Sequence, residues 1–112
     1  MNSRLELHDS LCEIINIVEP DGDRHTYFQP PASIKMKYPA IVYQLKTIYN
    51  VSADDITYRY WPGYELTLID KKPDSKYVTE ILKLPYCKFD RFYVADNLNH
   101  WTFTLYNIKG GQ

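Results

Sequence analysis

An α+β domain is the fold class this sequence predicts: a mostly antiparallel, mixed sheet with two helices packed on one face. Three observations lead there. Apolar residues recur at helical spacing near the N-terminus and again after residue 74, while the other segments alternate or cluster β-branched and aromatic residues. The resulting order, α, short β, β, β, β, α, β, β, lacks the strand–helix alternation of a parallel, doubly wound sheet. The chain has 112 residues and no internal repeat, low-complexity segment or dividing linker. Residues 1–112 therefore read as a single domain, which as a globule has a radius of gyration of about 13 Å.

Leu7, Leu11, Ile14, Ile15 and Val18 form one stripe opposite His8, Asp9, Ser10 and Glu13, which predicts a helix over 4–18. Pro20-Asp21-Gly22-Asp23 stops it. A short extended piece at 26–29 ends at Pro30-Pro31, because proline offers a sheet no donor. Residues 40–45 make a compact strand, and Asn50, Ser52 and Asp54-Asp55 favour a loop from 46 to 55. Residues 56–60 read as strand and Trp61-Pro62-Gly63 as the turn of a hairpin. Its partner strand, 64–69, puts Tyr64, Leu66 and Leu68 on one face. Asp74 or Ser75 caps a second helix whose stripe is Tyr77, Val78, Ile81 and Leu82, and Pro85 ends it. Two strands follow at 87–94 and 100–107, joined by a loop from Ala95 to Asn99, and the chain runs out into a tail over 107–112.

Charge is near balance, 13 Lys and Arg against 14 Asp and Glu. General nucleic-acid binding needs a basic surplus to displace counterions, so composition argues against it. No apolar run nears the ~20 residues that cross a bilayer. The first residues, Met1-Asn2-Ser3-Arg4-Leu5-Glu6, contain no signal-peptide core, so the chain is expected in the cytoplasm, away from membranes. Cys12 and Cys87 are too few for a disulfide framework and too isolated for zinc, and are expected as reduced core residues. Eleven tyrosines stand out. Tyrosine joins a large ring to a hydroxyl, which suits both a sheet face and a protein interface.

Nothing in the chain assembles an enzyme, so no catalytic, metal or cofactor residue is assigned. The four glycines, Gly22, Gly63, Gly110 and Gly111, form no phosphate loop, and no serine sits in a nucleophile elbow. Asp21 with Asp23, and Asp54 with Asp55, fall where turns favour Asp, which outweighs a cation site. Asp96-Asn97-Leu98-Asn99-His100 is the most suggestive polar run. One Asp and one His do not complete a coordination shell, and a turn accounts for the same residues. Tyr58, Arg59, Tyr60 and Trp61, with Tyr64, offer a stacking platform for single strands, but Arg59 alone supplies local charge and a protein contact is the better account. The candidate partner or oligomer contacts are therefore Tyr58, Tyr60 and Trp61 in the 46–63 connection, and Asp96, Asn97 and Asn99 in the 95–100 turn. Pro30-Pro31, Pro39, Lys35 and Lys37 are placed to guard an exposed sheet edge.

Three stretches carry a resemblance. The first is Tyr27-Phe28-Gln29-Pro30-Pro31 through Tyr38-Pro39-Ala40-Ile41-Val42-Tyr43. The second is Tyr64-Glu65-Leu66-Thr67-Leu68-Ile69-Asp70-Lys71-Lys72-Pro73-Asp74-Ser75. The third, and most distinctive, is Leu84-Pro85-Tyr86-Cys87-Lys88-Phe89-Asp90-Arg91-Phe92-Tyr93-Val94 running into Asp96-Asn97-Leu98-Asn99-His100-Trp101 and on to Tyr106. Over about residues 5–106 the chain resembles the tail terminator (tail completion) proteins encoded in the head–tail joining region of long-tailed bacteriophages and prophages of Gram-positive bacteria. The resemblance implies an α+β subunit of a ring, usually a hexamer, that caps the finished tail tube and offers a surface to the head connector. It implies a structural protein of the virion tail or neck, assembled in the host cytoplasm, without enzymatic activity or cofactor. Its implied partners are copies of itself, the tail tube protein and the head–tail connector proteins, with DNA only passing through the lumen. A head-side adaptor or stopper protein is the neighbouring alternative. A nucleic-acid-binding accessory protein using the Tyr/Trp segment is the alternative from a different class.

Overall fold

The computed structural model describes the backbone of residues 4–53 and 56–106 and the side chains of 4–48 and 61–106. In chain order the elements are α1 (Arg4–Ile14), β1 (Thr26–Phe28), β2 (Ala40–Ala53), β3 (Ile56–Asp70), α2 (Tyr77–Leu82), β4 (Cys87–Ala95) and β5 (Leu98–Tyr106). The strands form one open five-stranded sheet in the order β1-β2-β3-β5-β4. β1 runs parallel to β2, and all other pairs are antiparallel. The fold is thus α+β, with a mixed, mostly antiparallel sheet.

Alternation along the strands sorts the sheet into two faces. Ile41 and Tyr43 lie opposite Leu68 and Leu66, which in turn lie opposite Trp101 and Phe103; Tyr64 lies opposite Leu105. These residues share one buried cluster with Leu7, Leu11 and Ile15 from the α1 segment and Ile81 from α2. Both helices therefore cover the same face. Each fully buried aliphatic side chain there contributes about 1.5–3 kcal/mol.

α1 ends at Ile14, four residues short of the expected end. Ile14, Ile15, Ile17 and Val18 are stiff at χ1, and Asn16 competes for backbone bonds, so the run propagates a helix poorly. Ile15 still bonds back to the Leu11 carbonyl at 3.3 Å and is fully buried. Val18, expected on the apolar stripe, is 60% exposed.

The largest departure lies between 46 and 63. β2 continues past Leu45 to Ala53, and β3 runs straight through Trp61-Pro62-Gly63, so the hairpin joins β2 to β3 with Ala53 opposite Ile56. The expected 46–55 loop is strand as far as Ala53, and Asp54 and Asp55 lie outside the described residues. Pro62 is tolerated because the last pair between β3 and β5 among the described residues is Gly63 with Tyr106, so no described strand asks Pro62 for a donor on that side. Gly63 sits in a tight space and not in a turn: a Cβ there would lie 3.0 Å from Thr47 Cγ2 and 3.0 Å from the Tyr106 ring, so one of those side chains would have to shift. The chain measures 50 × 29 × 28 Å with a radius of gyration of 15.2 Å. The excess over a globule of this length comes from the long hairpin.

Two smaller boundaries also move. Lys76 holds the N-cap position of α2 without a side-chain cap bond, although the Tyr77 amide donates to Ser75 Oγ at 3.4 Å. The expected 95–99 loop is a two-residue turn, because Ala95 already pairs with Leu98. Asp96 and Asn97 take φ values of 54° and 62°, the left-handed pair that a tight hairpin turn requires. β5 ends at Tyr106, and Asn107 lies outside the described residues.

Candidate interaction surface

The sheet has five strands only at its base. β1 reaches β2 at Ile41–Tyr43 alone, and β5 leaves β3 at Gly63. From about Thr47 to Ala53 and from Ile56 to Pro62 the fold is a two-stranded ribbon, here termed the arm, with no third strand on either edge among the described residues. An isolated ribbon of two strands is marginal in water, and exposed edges are open to pairing. Bulges at Leu45/Thr47 and Val51/Ser52 interrupt its register and increase its twist. At its root Leu45 and Ile48, opposite Tyr64 and Pro62, continue the helix-bearing face beyond the core and are 47% and 54% exposed.

β4 forms one margin of the sheet and, among the described residues, pairs with β5 alone. Phe89 meets Phe103 edge-on at 5.7 Å, and Phe92 meets Trp101 at 5.3 Å. Neither ring is covered from outside, and Val94 beside them is 60% exposed. Leu82 at the end of α2 and Tyr86 just before β4 are exposed as well. Five of the ten exposed large apolar side chains among the described residues therefore lie here, as at contact surfaces.

The opposite face of the sheet carries no helix among the described residues and mixes polar side chains with Val42, Ile69 and Met36. A shallow hollow on it of about 280 Å³ is lined by Gln44, Glu65, Thr67, Tyr93 and His100, among others. The His100 ring stacks on Tyr93 at 4.7 Å, and the Arg91 guanidinium lies 5.0 Å from the same tyrosine ring. Among the described residues, no three His, Cys, Asp or Glu side chains gather as metal ligands would.

The six candidate contact residues do not converge. Tyr60 and Trp61 lie in the arm opposite Asn50 and Tyr49, and Tyr58 falls in the bulge between Thr57 and Arg59. The side chains of Tyr58 and Tyr60 lie outside the described ones, and Trp61 is half-buried. Asp96 and Asn97 are exposed at the other end of the sheet. The Asn99 amide is occupied within the chain, donating to the Asp70 and Lys71 carbonyls at 3.3 Å each, where it holds the connection between β3 and α2.

The tyrosines divide between core and surface. Tyr27, Tyr43 and Tyr64 are buried, and burial pushes each of their hydroxyls above the ordinary tyrosine range. The Tyr43 hydroxyl lies 2.7 Å from His8 Nδ1. Tyr27 donates to the Asp23 carboxylate and accepts the Lys37 amide at 3.0 Å. Cys12 is buried and Cys87 half-buried, both as free thiols. Burial, with Asp90 nearby, pushes the Cys87 thiol up to about 11, which makes it a poor nucleophile at neutral pH.

Sequence reasoning missed one cluster altogether. His25 is buried at φ 64°, with Nδ1 2.8 Å from the Pro39 carbonyl and Nε2 2.8 Å from the Glu19 carboxylate. Its amide donates to Asp23 Oδ1 at 2.7 Å. This residue clasps the 19–39 segment beside β1. Lys37, expected as an edge guard, bonds to Asp21 Oδ2 at 3.0 Å instead. The only local signal was the Asp-x-His spacing after a Pro-Asp-Gly turn.

No protein-family model matches the chain, and comparison with curated proteins and with solved structures found no significant match.

Proposed function

We propose that this chain is a non-enzymatic assembly subunit that closes into a ring on the end of a phage tail tube, ends elongation and presents a surface for head–tail joining. The arm carries this reading. A ribbon that outruns the sheet, with no third strand on either edge among the described residues, suits reaching into another subunit. The resemblance of residues 5–106 to tail terminators supplies the role, and the exposed β4 margin supplies a second sticky surface unlike the first. Contacts between unlike surfaces repeat head to tail, giving a ring where the rotation closes and a filament where it does not; a flat tube end favours the ring. A ring seated on the last tube layer masks the surface that would accept another layer, so the mechanism is geometric. Near-neutral charge limits trapping of phosphate as DNA passes the lumen.

Loss of the gene tests the placement. A terminator's absence gives overlong tails, restored to normal length when the protein is supplied. Normal-length tails left unattached, beside heads that leak DNA, would place the protein on the head side as an adaptor or stopper. Tails of normal length on intact, DNA-filled virions would exclude both.

A further inference from the structure

Resting on the ring reading above, we infer that the arm of one copy docks on the β4 margin of the next copy of this chain. Leu45, Ile48 and the arm's free edge meet Phe89, Phe92, Val94, Leu82 and Tyr86. Two observations name a second copy as the occupant. The first is area. The five exposed side chains of the margin present roughly 500 Å², near the top of what a monomer leaves uncovered. That falls short of the ~800 Å² per partner of a stable interface. A margin-on-margin dimer would bury those side chains alone and leave the arm uncovered, whereas arm-on-margin adds backbone pairing along residues 91–95 to the same patch and covers the arm as well. The second is placement. Leu45 and Ile48 sit opposite Tyr64 and Pro62, and Phe89 and Phe92 opposite Phe103 and Trp101, so both surfaces lie on the helix-bearing face. β3 and β5 separate the two. The arm runs outward from the sheet, away from its own β4, so one copy cannot satisfy both surfaces by itself. Past the bulge between Phe89 and Arg91, residues 91–95 are regular strand with one edge unpaired among the described residues, which matches the ribbon's edge, likewise unpaired among them.

A mixing experiment tests this. The margin variant is Phe92→Glu with Val94→Lys, and the arm variant is Leu45→Glu with Ile48→Lys. All four side chains are more than 40% exposed, so both variants are expected to fold. Circular dichroism and melting temperature check this, with Phe92→Ser and Ile48→Ser as milder replacements for any variant that fails. Wild type forms rings. Each variant alone runs as a 13.3 kDa monomer. A 1:1 mixture gives a heterodimer of twice that mass, because one intact margin and one intact arm remain. If wild type assembles only on tail tubes, the same comparison is read there as binding and co-binding. Wild-type rings together with a variant that still closes rings, or a mixture that stays monomeric, would overturn the arm–margin contact and leave the ring reading standing. A folded wild type that neither self-associates nor binds tubes would overturn both.

Discussion

Lys46 and Asp90 reach the same hydroxyl from opposite sides of the sheet. Lys46 Nζ donates to Thr104 Oγ1 at 3.2 Å, and Thr104 donates to Asp90 Oδ2 at 2.6 Å. Each charged residue is the extra one in a β-bulge, on β2 and on β4, and Thr104 stands on β5 next to β4. Leu45 and Phe89 face the helices, so alternation puts both charges on the other face, where Thr104 lies. The relay ties the root of the arm to the β4 margin, the two surfaces proposed to meet between copies.

Thr104→Val keeps the shape of the side chain and removes the hydroxyl. The variant is expected to lose about 1 kcal/mol of stability, read as a lower denaturant midpoint at unchanged slope. An unchanged midpoint would show that the relay contributes nothing.

Gly63→Ala places a methyl 3.0 Å from Thr47 Cγ2 and from the Tyr106 ring. Overpacking of that kind is expected to destabilise by about 1–3 kcal/mol. Pro62→Ala next to it, where β2 is the sole strand partner among the described residues, is expected within about 0.5 kcal/mol of wild type. Thermal melts of the two variants separate a spacing role for Gly63 from a turn: a turn would make both substitutions costly, and close approach makes only the first so.

His8 gives the fold a pH dependence. Burial first, and then the Arg4 charge, hold its imidazole below the usual histidine range. The neutral ring accepts the Tyr43 hydroxyl. The unfolded chain therefore binds the proton first. His8's contribution is complete above the unfolded histidine value of about 6.5, and is lost as pH falls from there through the lowered folded value. Melting curves at pH 7.5 and 5.5 should differ more for wild type than for His8→Gln. An equal pH response in both would remove His8 as a source.

The sheet's inner face was legible in the sequence, because Tyr64, Leu66 and Leu68 keep period-two alternation and the pattern alone fixes which side is buried. The tight turn at Asp96 and Asn97 was legible as turn chemistry, though not as two residues. The arm was not legible. Pro62 and Gly63 are strong local turn signals, and what cancels them is non-local: β3 pairs with β2 straight through them, and Tyr106 and Thr47 crowd Gly63. Bulges are equally silent, since the extra residues Lys46 and Asp90 reveal themselves only against a partner strand. Phe89 and Phe92 read as ordinary strand aromatics, and their exposure depends on β4 lying at a margin. The His25 clasp joins residues from Glu19 to Pro39 and leaves no periodic trace.

The central claim is that the chain works by associating with itself through unlike surfaces. Negative-stain microscopy of the purified protein, with its mass in solution and then with tail tubes assembled without it, tests that most directly. The account predicts closed rings, free or seated on tube ends. A protein that stays at 13.3 kDa at every concentration and leaves those tube ends bare would contradict it.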